Sequence, residues 1–258
     1  MSQANLDLPR LLEELTPLVH AAGEVIMGIY ATDFSVENKS DASPVTLADQ
    51  QAEAVILAGL AKIAPDIPVV AEEAVAAGHV PEVAGRFFLV DPLDGTKEFI
   101  SRNGEFTVNI ALIDGGRPVL GLVYAPAIGR LFGGAVGHGA WLEDAAGRRS
   151  IACRAVPAEG LTVVASRSHG DETALDAFLN GRVVASRTNA GSSLKLCLVA
   201  AGEADLYPRL GRTMEWDIAA GDAVLRAAGG RVTVVSDGAD LRYGKPGFDN
   251  PHFAASGL

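Results

Sequence analysis

The stretch Arg86-Phe87-Phe88-Leu89-Val90 runs straight into Asp91-Pro92-Leu93-Asp94-Gly95-Thr96, and this junction constrains the chain more than any other feature. An apolar run of this length reads as a strand. Two carboxylates three residues apart then follow, with Pro92 fixing the backbone and Gly95 permitting a tight turn. Both acids are expected in one rigid loop at the C-terminal end of the strand. Taken alone, Asp, Pro and Gly also make an ordinary turn.

The segments around this junction alternate in character. From Leu8 to Tyr30, the residues Leu11, Leu12, Leu15, Val19, Ala22, Ile26 and Ile29 recur at three- and four-residue steps, which predicts an amphipathic helix with Pro9 in its first turn. A second helix is predicted with Thr46 as N-cap and Asp49 three residues on. Short β-type runs follow at 67–71, 86–90, 106–113, 119–125 and 130–135. Gly115-Gly116, Gly133-Gly134 and Gly137-His138-Gly139 are expected as turns, so an antiparallel meander spans 104–152. Beyond Pro157, strands at 161–165, 183–186, 204–207 and 231–235 alternate with helices at 171–179, 192–201 and 217–228. That alternation indicates a layered α/β half. One compact unit is expected, with an α+β subdomain over 1–155 and a smaller α/β subdomain over 156–258.

Composition narrows the function classes. The chain has 258 residues, 48% hydrophobic and 21% charged, with 29 glycines, which is a folded rather than a disordered balance. Its formal charge of −11 argues against nucleic acid as a partner, because phosphate binding needs a basic face. Cys153 and Cys197 have no metal-ligand spacing and apolar neighbours, so buried reduced thiols are expected. The acidic N-terminus is unlike a signal peptide, and no apolar stretch approaches the roughly 20 residues of a spanning helix. A cytoplasmic location is expected; a peripheral position at the inner membrane face stays open, although an anionic lipid surface repels a chain of this charge. Trp141 and Trp216 are expected in packing roles. No GxSxG elbow, GxGxxG after a strand, GxxxxGK[ST] or HExxH is present.

The acid-terminated strand has counterparts. Val69-Val70-Ala71 runs into Glu72-Glu73, and Trp216-Asp217 opens the AAGDAVLRAAGG helix. Hard oxygen ligands in this number suit Mg²⁺, shared between carboxylates and a substrate phosphate. If Glu72, Asp91, Asp94 and Asp217 converge, each pair about 5 Å apart repels by on the order of 3 kcal/mol at an effective dielectric of about 20. Such a cluster needs cations.

With KSDASPVTLAD, VVAEEA, DPLDGT and WDIAAG in this order, the chain resembles the lithium-sensitive, magnesium-dependent phosphatases of the inositol monophosphatase superfamily. Within it, DPLDGTKEFISRNGEFTVNIALI and GSSLKLCLVAAGEADLYPR resemble the CysQ-type 3′(2′),5′-bisphosphate nucleotidases. The resemblance spans about Leu11 to Pro251. It implies the layered αβαβα sandwich shared with fructose-1,6-bisphosphatases, two Mg²⁺ ions with a third, weaker one, and inhibition by lithium. It also implies that Glu72, Asp91 and the Leu93 carbonyl hold one ion, and that Asp91, Asp94 and Asp217 hold a second. Asp49 would serve the third ion together with Glu72, although alone it reads equally as a first-turn acid. Thr96 and Glu72 would orient the attacking water, and Gly95 and Thr96 would meet the phosphate. Ala71 departs from the Gly or Ser common before the acidic pair.

Substrate recognition is expected from the second half. Gly191-Ser192-Ser193-Leu194-Lys195 opens a helix, and backbone N–H groups, hydroxyls and a lysine there make either an anion site or an ordinary cap. The resemblance implies that His169, Ser192, Lys195 and Arg209 bind a bisphosphate nucleotide, including its uncleaved phosphate. His169 alone reads as an exposed loop residue. The expected reaction is removal of the 3′-phosphate from adenosine 3′,5′-bisphosphate, and from 3′-phosphoadenylyl sulfate, in sulfur assimilation and nucleotide recycling. The alternatives are an inositol monophosphatase and a non-catalytic metal-dependent sensor. Lys195 and Arg209 speak against the first and Thr96 against the second. The oligomeric state is open between monomer and homodimer.

Overall fold

Helix α1 (Leu8–Tyr30) has the bounds that the apolar spacing predicts, with Asp7 Oδ1 accepting the Arg10 N–H at 3.1 Å as its cap. The computed structural model describes residues 6–32, 44–167 and 172–257. Helix α2 (Pro44–Ile63) begins before Thr46, so Thr46 lies in its first turn instead of capping it; proline's fixed φ suits a first helical position.

Strand β1 (Val69–Ala71) leads into the short helix α3 (Glu72–Ala76), and β2 (Arg86–Asp94) into α4 (Thr96–Ile100). The predicted meander is then β3 (Thr107–Asp114), β4 (Arg117–Ala125), β5 (Arg130–Ala135), β6 (Gly139–Asp144) and β7 (Gly147–Ile151). These seven strands form one sheet in chain order, antiparallel except for the parallel β1–β2 edge. The second half holds β8 (Leu161–Ser166), α5 (Glu172–Leu179), β9 (Val184–Ala190), α6 (Leu194–Ala200), β10 (Leu206–Arg209), α7 (Glu215–Ala227), β11 (Arg231–Val234) and β12 (Phe253–Ser256). Its five strands are ordered β11-β12-β10-β8-β9. Neither α4 nor β12 was anticipated; each is only one short turn or four residues, too brief for periodicity to register.

The layers are α1 and α2, the seven-stranded sheet, α6 and α7, the five-stranded sheet, and α5, giving an αβαβα sandwich. Strand alternation sorts the core. Phe88 and Val90 of β2 and Val108, Ile110 and Leu112 of β3 pack under α1 and α2. Phe87, Leu89, Ala111 and Ile113 face α6 and α7. No described helix is long and apolar enough to cross a membrane.

The expected turn at Gly133-Gly134 is instead the middle of β5, where a Cβ on Gly134 would stand 2.9 Å from Val224 Cα of α7. Gly134 lets the helix settle onto the sheet, while a Cβ on Gly133 would run into the Trp141 ring of β6 on the other face. Cys197 is buried and Cys153 half-buried, both as free thiols. Trp216 is buried, whereas Trp141 lies half-exposed beneath the Arg148 guanidinium, 3.8 Å from its ring centre.

Candidate active site

The Asp91 and Asp94 carboxylates lie within β2, contrary to the expected loop beyond it. Asp91 pairs with Asn109 and Asp94 with Thr107, so three steps along β2 match two along β3. In a regular strand, residues three apart point to opposite faces; the extra residue is a bulge that returns Asp94 to the face of Asp91. Pro92 fits there because a bulged position owes the ladder no N–H. The Leu93 side chain joins the core under α1 and α2. Glu72 arrives beside them because β1 is parallel to β2, with Ala71 opposite Val90, the residue preceding Asp91.

Asp217 approaches from the facing layer as the third residue of α7, where Met214 N–H donates to its Oδ2 at 2.8 Å. The Ser193 hydroxyl donates to the Asp217 carbonyl at 2.9 Å, tying α6 to α7. A cavity of about 440 Å³ lies between these elements. Glu72, Asp91, Leu93, Asp94, Gly95, Thr96, Ser192, Lys195, Arg209 and Asp217 all line it, so ten of the residues singled out in the sequence share one wall. Gly95 is left-handed at φ 98°, and a Cβ on it would meet Ser192 Cβ and Phe106 Cα at 3.3 Å. Asp49 does not line the cavity; it is buried near Glu53, Glu72 and Glu73. His169 lies outside the described residues.

The carboxylates resist ionisation. Burial, then Asp217, pushes Asp94 up to about 7. Burial also pushes Asp217 up to about 7 against the Met214 hydrogen bond. Glu72 rises to about 7 through burial and the charge of Asp94, and Asp49 to about 8 through burial and Glu73. Asp91 is held well above the ordinary carboxylate range by burial, then by Glu72. A set of oxygen donors this costly to charge fits hard divalent cations such as Mg²⁺. Among the described residues no three His, Cys, Asp or Glu side chains stand arranged to hold a metal ion by themselves, so these carboxylates would have to shift and share any ion with water or substrate oxygens.

The anion site expected at Gly191 to Lys195 is differently built. Ser192 has φ 40°, so α6 starts two residues later than expected. The Ser192 hydroxyl donates to the Glu105 carbonyl at 2.9 Å. Lys195 is buried, its Nζ donating to the carbonyls of Ser192 at 2.6 Å and Ala190 at 3.2 Å, and burial pulls its pKa down to about 8. Arg209 is the less committed cation: Nη2 donates to the Arg212 carbonyl at 2.9 Å, while Nε is buried with no partner among the described residues.

Sequence reasoning missed Asn109, Glu98 and Tyr207. Asn109 is fully buried and directs Nδ2 toward the Asp94 carboxylate at 3.5 Å and the Asp217 carbonyl at 3.4 Å. Its signal was an amide inside the apolar run Phe106 to Ile113. Glu98 and Tyr207 line the cavity from positions that resemble ordinary helix and strand residues.

Residues 7–255 match the sequence model described as the inositol monophosphatase family. The 3′(2′),5′-bisphosphate nucleotidase CysQ of Escherichia coli strain K12 is 49% identical over 224 residues, covering 86% of this chain and 89% of that protein. The enzyme of the same name from Buchnera aphidicola is 41% identical over 254 residues, 96% of this chain and 94% of that one. Among solved structures, CysQ from Bacteroides thetaiotaomicron superposes with a TM-score of 0.85 at 37% identity, over 98% of this chain and 99% of that chain. An inositol monophosphatase from Anabaena gives 0.77 at 28%, over 97% and 92%.

Proposed function

The chain belongs to the inositol monophosphatase family, and on that premise we propose that it is a 3′(2′),5′-bisphosphate nucleotidase. It hydrolyses the 3′-phosphate of adenosine 3′,5′-bisphosphate to give AMP and phosphate, and accepts 3′-phosphoadenylyl sulfate. The observation that carries this reading is Arg209 Nε, buried and without a partner among the described residues, in the lining of the cavity that also holds four carboxylates. A buried charged donor without an acceptor is costly, and an anionic group on the substrate supplies one. An inositol monophosphate has no second anion to offer it.

Glu72, Asp91 and the Leu93 carbonyl would hold one Mg²⁺, Asp91, Asp94 and Asp217 a second, and Asp49 with Glu72 a weaker third. When bound, magnesium supplies the positive charge that the phosphoryl oxygens need in the transition state. The chain does the rest. Thr96 and Glu72 orient a water in line with the scissile bond, the N–H groups of Gly95 and Thr96 receive the phosphate, and Ser192, Lys195, Arg209 and His169 hold the nucleotide. Water adds to phosphorus as the bond to the ribose 3′-oxygen breaks, with no phosphoenzyme. The division into subdomains 1–155 and 156–258 places Asp217 and the nucleotide contacts in the second and the other acids in the first. We assign the protein to the cytoplasm, in keeping with its two free thiols.

Arg209→Ala tests the assignment of the uncleaved phosphate. A charge-assisted hydrogen bond contributes about 1.5–3 kcal/mol, so kcat/KM for adenosine 3′,5′-bisphosphate falls roughly 10- to 100-fold. The value for adenosine 3′-monophosphate stays nearly unchanged. An equal loss on both nucleotides contradicts the assignment.

A further inference from the structure

Glu215 is fully buried two residues before Asp217, and the chain surrounds it with donors from one distant segment. Its carboxylate accepts the Gly244 N–H at 2.6 Å, the Lys245 N–H at 2.9 Å and Lys245 Nζ at 2.5 Å. The same Nζ donates to the Arg242 carbonyl at 2.6 Å and to Asn250 Oδ1 at 3.1 Å. Asn250 completes the ring: its Nδ2 donates to the Met214 carbonyl at 2.7 Å and approaches Thr213 Oγ1 at 3.3 Å, and its N–H donates to the Thr213 carbonyl at 2.9 Å. The residue so gripped, Met214, fixes Asp217 Oδ2 through its own N–H. This leaves Oδ1 as the oxygen of that carboxylate not used by Met214.

We propose that Lys245 and Asn250 are positioning residues which, through Glu215 and Met214, hold the Asp217 carboxylate ready for a divalent cation. The inference rests on the reading of Asp217 as a metal ligand. The clamp acts on the turn that opens α7, where a small rotation of the backbone would swing Asp217 away from Asp91 and Asp94. A second buried network on the same helix serves as the control: Tyr243 donates to Asp222 Oδ2 at 2.8 Å, and Arg226 to Asp222 Oδ1 at 2.8 Å, five and more residues beyond Asp217.

The test is calorimetric titration of the metal-free full chain with Mg²⁺, for the wild type, Lys245→Met, Asn250→Leu and Tyr243→Phe, with melting followed in parallel. Partners behind a ligand typically account for 10- to 100-fold in metal affinity, so Lys245→Met and Asn250→Leu are expected to raise the Mg²⁺ Kd by roughly 10-fold or more. Tyr243→Phe lowers the melting temperature with Kd unchanged. Asn250→Leu, close in size, decides the matter if Lys245→Met fails to fold. Wild-type affinity in the clamp variants overturns the inference, as does an equal loss in Tyr243→Phe, which would make the effect one of stability alone. A wild type that binds no Mg²⁺ overturns the metal-site reading itself, and the inference with it.

Discussion

Asp94→Asn is expected to lower phosphate release by at least about 10³-fold, on the order of 4 kcal/mol of transition-state stabilisation, while the metal-free protein becomes more stable at pH 8. The two effects have one origin. Asp94 is half-buried beside Asp217, and its carboxyl is pushed up to about 7, so holding it ionised at pH 8 opposes folding. An amide of the same shape removes that opposition and also the charge that would hold a cation. Turnover and thermal melting, measured on the same preparation without and with Mg²⁺, separate the consequences. Loss of activity together with a lower metal-free melting temperature would point to a folding defect and contradict this account.

The second large effect is on pH and metal together. Asp49, Glu72, Asp94 and Asp217 have folded values of about 7 to 8, against ordinary values near 4. A group whose folded pKa is raised binds its proton more tightly in the native state. Its contribution is complete below the unfolded pKa and is lost as pH rises through the folded one. Metal-free protein is therefore expected to lose stability steadily from about pH 4 to about pH 8. Magnesium binds the ionised carboxylates and competes with protons, so the rise in melting temperature on adding Mg²⁺ is larger at pH 8 than at pH 5.5. Thermal melts at both pH values, with and without Mg²⁺, check this. A Mg²⁺ shift that is equal at both, or larger at the acid pH, contradicts it.

The antiparallel meander and the alternating strands and helices of the second half were legible in the pattern, while the order of the layers came from the family resemblance. The three- and four-residue spacing of α1 marks its buried face from residue type alone, whereas β3 is apolar on both faces and its sequence does not say which face meets which helices. The clustering of acids at strand ends was legible too, since Glu72, Asp91 and Asp94 each follow an apolar run. What the sequence did not disclose is how Asp91 and Asp94 come to share a face. A bulge depends on the register of the neighbouring strand, and nothing in Asp-Pro-Leu-Asp specifies that Asp94 pairs with Thr107. Local propensity likewise reads Gly133-Gly134 as a turn, when Gly134 answers to helix α7 packed across it and Gly133 to the Trp141 ring on the other face. The Gly-Ser-Ser-Leu-Lys segment resembled a helix N-terminus open to an anion, yet its hydroxyls and lysine are engaged with backbone carbonyls. The clamp from Lys245 and Asn250 onto Glu215 joins residues about 30 apart in sequence that carry no shared pattern.

The central claim is that the acid-lined cavity serves a nucleotide with two phosphates rather than a polyol with one. Phosphate release from adenosine 3′,5′-bisphosphate and from inositol 1-phosphate, compared as kcat/KM with Mg²⁺ present, tests it most directly. The account predicts a preference for the nucleotide of at least about 10²-fold, since a site holding a buried cationic donor rejects a substrate that leaves it unpaired. An inositol ester hydrolysed as well as the nucleotide, or better, would contradict it.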